Sequence, residues 1–372
     1  MTASPHLRPA PEHDRTGRGW TERDRWHIAG MSGFVLLLNV VGWGVLVFAV
    51  APHEYAVGTG VYGVGLGVTA FLLGVRHAFD ADHIAVIDNT TRKLVGEGKP
   101  ALGVGFWFSL GHSSVVFGAA ALIAFGVEQV SGAAQDEGST LAVTLGLIGS
   151  IVAGTFLILI GLMNLASVAG IVRVFRGLRT HGLDEHALEH HLHNRGFLAR
   201  LLGGATKRVT KPWHVYPVGL LMGLGFDTAS QVALLVLAAG TAASPLPWFA
   251  ILVLPVLFAA GMSLFDTADG FFMARAYRWA FIRPVRKVFY NLTVTVLSVV
   301  IALVVGTIVL AGVFADRLHL ESGPVATLGG LQMDKVGYIV VGLFVATWVV
   351  ALSIWRLGRI EERYAEVGRF GG

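Results

Sequence analysis

The sequence predicts an all-α integral membrane protein with eight transmembrane helices and both termini cytoplasmic. Three observations carry that prediction. Hydrophobic residues make up 54% of the 372 and charged residues only 14%, against about 25% charged in a soluble domain. Apolar runs near the length that crosses a bilayer, about 20 residues, recur along the whole chain. Lys and Arg fall almost entirely on one side of the topology those runs imply.

Residues 1–26 are polar and rich in Arg and Pro, and read as a disordered cytoplasmic leader. The apolar run behind them, Ile28 to Ala51, has no small-x-small cleavage pattern. It is too long for a signal-peptide core and long enough to span, so it is read as a retained first helix. The second span, about 57–78, runs on into a cluster of ionisable residues, and the third and fourth are about 101–126 and 141–172. Helices 1–4 thus occupy 27–172, and a cytoplasmic loop rich in His and Arg follows at 173–211. Spans five to eight, about 214–240, 247–265, 289–314 and 336–355, lie within 212–356, and 357–372 is a cytoplasmic tail.

With the N-terminus inside, the cytoplasmic segments hold 25 Lys and Arg, and the outer loops hold only Arg317 and Lys335. One helix more or fewer would scramble that asymmetry. The pI near 9.5 is therefore a matter of orientation in a lipid bilayer and calls for no nucleic-acid partner. The chain has no cysteine, which excludes disulfides, thiolate metal sites and thiol catalysis. Forty-eight glycines suit close helix packing in lipid.

At the end of the second apolar run stands Arg76-His77-Ala78-Phe79-Asp80-Ala81-Asp82-His83-Ile84. Ionisable side chains are costly in a bilayer, so such a cluster marks a functional site. Imidazole with carboxylate suits a borderline divalent metal ion. On one straight helix His77, Asp80 and His83 share a side, Asp88 returns to within about 20° of His77, and Asp82 points away. Either Asp82 serves another helix or pairs with Arg76, or the helix unwinds here, as ion-binding helices of transporters do. Asp88 and Asn89 are candidates to orient the imidazoles from behind.

Few other polar groups interrupt the apolar spans. Span three carries His112 with Ser113 and Ser114; His112 suits a ligand or a hydrogen bond between helices. Span five carries Asp227, Thr228, Ser230 and Gln231, and span six ends on Asp266, Thr267 and Asp269. Asp227 and Asp266 point to metal or proton handling. Asp269 sits at the boundary, where water can solvate it, and the hydroxyls of Thr228, Ser230 and Thr267 suit helix packing. The element Phe-Asp-[Ala/Thr]-[Asp/Ala] recurs at 79–82, 226–229 and 265–268, a hint of internal duplication. In the cytoplasmic loop His186, His190 and His193 share one helical face, which fits either metal buffering or a solvated amphipathic helix.

These motifs resemble the nickel/cobalt transporter family (NiCoT), eight-helix permeases for Ni²⁺ and Co²⁺. The second-helix signature His-x4-Asp-His stands here as His77, Asp82 and His83 within RHAFDADHI, followed by Ala-x-Ile-Asp-Asn-Thr-Thr-Arg at 85–92. LGHSSVVF at 110–117, LGFDTA at 224–229 and GMxLxDTxDG at 261–270 resemble the family's later signatures. The resemblance implies high-affinity uptake of Ni²⁺ and/or Co²⁺ across the cytoplasmic membrane, with the His-x4-Asp-His helix as the main selectivity element. It implies a metal that is substrate and not prosthetic group, and no enzyme activity. The chain departs from the pattern at Gln231, where members often carry Glu.

No Walker A sequence is present, so the chain itself does not hydrolyse ATP. Efflux by a permease of the same superfamily is the alternative, and nothing in the residues encodes direction. A desaturase-like membrane metalloenzyme would need three His boxes, and only His186-x3-His190-His191 resembles one. Oligomeric state is not legible.

Overall fold

The computed structural model describes residues 21–57, 60–126, 139–181, 209–224, 246–281, 284–331 and 333–357. Helix α1 (Glu22–Val45) starts ahead of the apolar run because Thr21 and Asp24 form a capping box. The Thr21 hydroxyl accepts from the Asp24 N–H at 3.1 Å, and the Asp24 carboxylate accepts from the Thr21 N–H at 3.3 Å. Two orphan donors of the first turn are thereby satisfied. The same carboxylate accepts from Arg278 at 2.9 Å, which ties the start of α1 to the far end of the helix Trp248–Phe281.

A π-helical turn (Leu46–Val50) and a 3-10 turn (Ala51–His53) extend α1, and a small antiparallel hairpin pairs β1 (Ala56–Val57) with β2 (Gly60–Val61). Helices α2 (Val64–Ala78) and α3 (Ala81–Gly96) then meet at 53°. Phe79 and Asp80 close the last turn of α2 through N–H bonds of 3.0 Å to the Arg76 and His77 carbonyls. Asp80 leaves helical conformation, with ψ at 142°, and becomes the N-cap position of α3. The predicted second span is thus a broken helix, continuing to Gly96.

The remaining helices are α4 (Val104–Ala124), α5 (Thr140–His181), α6 (Tyr216–Gly223), α7 (Trp248–Phe281), α8 (Pro284–Arg317), α9 (Pro324–Gly329) and α10 (Met333–Leu357). Among the described residues five helices are long and apolar enough to cross a membrane, and the bent α2–α3 pair makes a sixth if counted as one span. The chain is an all-α membrane protein. A shorter apolar stretch, Lys335–Thr347, lies within α10. Of the predicted fifth span only the start, with α6, falls inside the described residues. At 42 residues α5 is about 60 Å long, twice the hydrocarbon thickness of about 30 Å. The predicted loop at 173–211 therefore begins as helix, as far as His181.

Helix α7 is the hub, packing against α1, α2, α3, α4 and α8. Glycines set how closely it is approached. A Cβ on Gly74 of α2 would run into the Phe258 carbonyl, one on Gly261 of α7 into the Phe71 carbonyl, and one on Gly105 of α4 into the Asp266 carbonyl. Lipid supplies no hydrophobic drive between helices, so such backbone-to-backbone contact carries the packing. The outward faces are apolar instead: Leu36, Val40, Val296, Val300 and Val304 are exposed, a pattern suited to hydrocarbon. Two buried apolar clusters form the interior, and the α2–α3 break joins them, Ala78 belonging to one and Ala81 to the other.

Candidate metal site

His77 occupies the last turn of α2 and His83 the first turn of α3, so the break brings both imidazoles to one point. His112, midway along α4, meets them. The three ring centroids lie 4.6 Å (His77–His83), 4.7 Å (His77–His112) and 4.8 Å (His83–His112) apart. This nearly equilateral triangle is buried, and one nitrogen from each ring lies within 4.8 Å of the others. Phe258, 5.7 Å from His77, and Phe108, edge-on at 4.7 Å from His83, wall it on the apolar side.

Two carboxylates fix the rings. His77 donates through Nδ1 to Asp80 Oδ2 at 2.7 Å, and His83 donates through Nδ1 to Asp266 Oδ2 at 3.2 Å. In the neutral ring each bond favours the tautomer that keeps the lone pair on Nε2. His77 Nε2 lies 2.9 Å from His112 Nε2. That is a hydrogen-bond length. It is also the separation of two nitrogens at right angles around one ion with bonds of about 2.1 Å. His83 Nε2 is buried without a hydrogen-bond partner, and so are Asp80 Oδ1 and Asp266 Oδ1. Buried polar atoms are nearly always satisfied, and these three unmet groups, gathered at the triangle, offer lone pairs that suit a cation.

The broken helix contributes charge as well as ligands. The C-terminus of α2 presents its negative pole to the cluster, which suits a cation. The N-terminus of α3 presents a positive pole, countered by Asp80 at its cap and Asp82 in its first turn. Asp82 itself stays half-buried, and its Oδ1 accepts the His83 N–H at 3.0 Å. Of the alternatives open for Asp82, the structure realises the interrupted helix.

The break also moves Asp88 away from the place a straight helix gives it. Asp88 accepts from the Tyr277 hydroxyl of α7, which lies 3.5 Å from Ser298 of α8. Asn89 donates to the Ala85 carbonyl at 2.8 Å and accepts from Asn164 of α5 at 2.9 Å and Arg92 at 3.4 Å. Neither residue reaches the imidazoles. The groups that orient the rings are Asp80 and Asp266, not the predicted Asp88 and Asn89, because the bend turns α3 onto α5, α7 and α8. Lys93, also buried, donates to the Val209 carbonyl at 2.9 Å.

Ser113 and Thr267 are buried with hydroxyls that meet no partner, and Asp269 is half-buried with one carboxylate oxygen equally unmet. Ser109, just ahead of the motif at 110–117, and Ser263, within the motif at 261–270, lie 2.9 Å apart and bridge α4 and α7. Sequence reading passed over Tyr277, Asn164 and Ser298. Asn164 stood out in principle as an amide in an apolar span. Tyr277 and Ser298 give no signal until α3, α7 and α8 are packed. Asp227, Thr228 and Gln231, and His186, His190 and His193, lie outside the described residues.

The profile of the NicO family, described as high-affinity nickel-transport protein, matches residues 63–354. The chain is 50% identical to the nickel transporter NicT of Mycobacterium tuberculosis over 364 residues, covering 98% of each chain. It is 45% identical to the nickel transporter NixA of Staphylococcus aureus over 331 residues, 89% of this chain and 95% of that one. It is 39% identical to the cobalt transport protein NhlF of Rhodococcus rhodochrous over 348 residues, 92% of this chain and 95% of the relative. No solved structure matches. These proteins are metal transporters and not enzymes. With the profile spanning most of its length and half its residues shared with a full-length relative, this chain belongs to the NicO family of high-affinity nickel-transport proteins.

Proposed function

We propose that the chain is a secondary transporter that takes up Ni²⁺ and/or Co²⁺ across the cytoplasmic membrane, with eight transmembrane helices and both termini inside. The observation that carries this is the buried triangle of His77, His83 and His112, beside two carboxylates that each keep a free oxygen. Neutral imidazole is a good ligand for both ions, and carboxylate offsets the charge of a dication as its water is shed. In this proposal His77, His83 and His112 ligate through Nε2. Asp80 and Asp266 orient the rings and lend charge or an oxygen ligand, and Asp82 offsets the α3 pole.

The ligands come from both halves of the broken helix and from α4, so separating α4 from the break dismantles the site and releases the ion. Ser113, Thr267 and Asp269 offer oxygen atoms along the route, and Asp227, Thr228 and Gln231 belong to the same expectation from their motif. Asp88 and Asn89 hold α3 in place. His186, His190 and His193 would buffer metal on the cytoplasmic side. A membrane potential, inside negative, supplies about 2.3 kcal/mol per charge per 100 mV, so about 4.6 kcal/mol for a dication. That suffices for more than a thousandfold accumulation without ATP.

The test is accumulation of ⁶³Ni²⁺ and ⁵⁷Co²⁺ at submicromolar concentration in cells expressing the wild type or His77→Ala. Uptake by the wild type alone supports the proposal. Cells that hold less metal than controls would show export, and no change for either ion would remove both metals as substrates.

A further inference from the structure

Among the described residues helix α10 contributes no group to the metal site, yet its backbone lies against the break on which the site is built. A Cβ on Gly337 would run into the Phe79 carbonyl oxygen and stand 3.0 Å from the Phe79 carbonyl carbon and 3.1 Å from the Ala81 nitrogen. The contact falls on the two-residue link between α2 and α3. The Phe79 side chain is held from both flanks. Its ring centroid lies 5.3 Å from Phe265 of α7 and 6.0 Å from Tyr338 of α10, the latter nearly parallel at 28°. Tyr338 adjoins Gly337, and Phe265 adjoins Asp266, the carboxylate that holds His83. One aromatic row therefore joins α10, the break and the element that orients one imidazole.

We propose that Gly337 and Tyr338, acting through Phe79, are positioning residues for the metal. They set the 53° bend and with it the spacing of the His77 and His83 nitrogens. This rests on the three-histidine site proposed above. His77 and His83 belong to separate helices, so the angle between α2 and α3 bears directly on their separation. Ligands must hold their places to about 0.5 Å, and ions of similar affinity are told apart by geometry. A helix whose backbone abuts the hinge without an intervening side chain sets that angle firmly. A side chain at 337 pushes α10 off the link or changes the bend. Either way, the preference between Ni²⁺ and Co²⁺ changes along with the affinity.

The test uses the full chain purified in detergent, with Gly337→Ala and Tyr338→Leu beside the wild type and His77→Ala. Tyr338 is 55% exposed, so its replacement opens no buried cavity. Size-exclusion chromatography reports folding, equilibrium dialysis gives Kd for Ni²⁺ and Co²⁺, and the visible d–d bands of bound Co²⁺ report ligand geometry. A merely structural role lowers yield and leaves the bands and the Ni/Co ratio of the folded fraction unchanged. The expected result is shifted Co²⁺ bands with binding weakened about tenfold in Gly337→Ala and about threefold in Tyr338→Leu, unequally for the two metals. Wild-type bands and wild-type Kd ratio in both folded variants overturn the positioning role. If Gly337→Ala does not fold, Tyr338→Leu decides by the same criterion. Metal binding by the wild type that His77→Ala leaves intact overturns the three-histidine site itself, and this inference falls with it. If His77→Ala abolishes binding while the two variants stay unchanged, the site stands and only the positioning role is lost.

Discussion

The Nε2 atoms of His77 and His112 lie 2.9 Å apart although 35 residues separate them in the chain. His77 donates through Nδ1 to Asp80, so its Nε2 offers a lone pair, and without metal a proton on His112 Nε2 bridges the two rings. An ion that takes both nitrogens requires that proton to move to His112 Nδ1.

Metal binding by these neutral rings is therefore expected to release no net proton, because the His112 proton moves to its other ring nitrogen and is not lost to solvent. Titration calorimetry of Ni²⁺ into the purified protein, in two buffers of different ionisation enthalpy at one pH, reads the number directly. Affinity should fall as pH is lowered. A binding heat that differs between the buffers by a full proton's ionisation enthalpy would contradict the neutral bridged pair.

Removing the third imidazole should matter more than removing an orienting group. His112→Ala is expected to abolish high-affinity uptake. Its loss of Ni²⁺ affinity should exceed the ~10–100-fold that follows loss of an outer-shell partner. Near wild-type uptake would return His112 to the role of a bond between helices.

Asp266→Asn and Asp80→Asn keep the size of each side chain and remove the charge that selects the tautomer of His83 and His77. Each should weaken Ni²⁺ binding by about 10–100-fold while the protein remains folded. Equilibrium dialysis on monodisperse protein checks this. Equal loss in both would mark the two carboxylates as equivalent second partners.

Tyr277→Phe acts elsewhere. It takes the hydroxyl donor from buried Asp88 and should cost about 1–3 kcal/mol of stability. Metal affinity should hold, because Asp88 does not touch the imidazoles. A large change in Kd with an unchanged melting temperature would place Asp88 in the metal path after all.

Glycines that meet backbone should be distinguishable from those that meet nothing. Gly74→Ala and Gly105→Ala each push a methyl group into a carbonyl of α7 and should lower stability by about 1–3 kcal/mol. Gly30→Ala and Gly33→Ala have nothing within 4 Å and should be neutral or stabilising, since Ala is favoured over Gly in helix by up to about 1 kcal/mol. Thermal melting in detergent compares the four.

The all-α membrane class, the position of the first helices and the His/Asp cluster were legible in the sequence, because hydropathy and charge are properties of residues in a row. The lipid makes backbone bonding local, so a long apolar run has little choice but helix. His77, Asp80, His83, His112 and Asp266, which the structure brings together, were legible as candidates, since ionisable groups in apolar spans stand out wherever the chain later folds.

The partners of those groups were decided by tertiary structure. A straight-helix projection set Asp88 beside His77, and the bend at Phe79–Asp80 turned it toward Tyr277 instead. The pairing of His83 with Asp266 joins residues 183 apart, and the seating of Gly337 on Phe79 brings the last helix to the second. Such contacts depend on where one helix has room to approach another, which is set by glycines on both faces at once. No single run of residues carries that information. Sequence alone determined which groups enter the membrane, and the packing of α2, α3, α4 and α7 decided which of them meet.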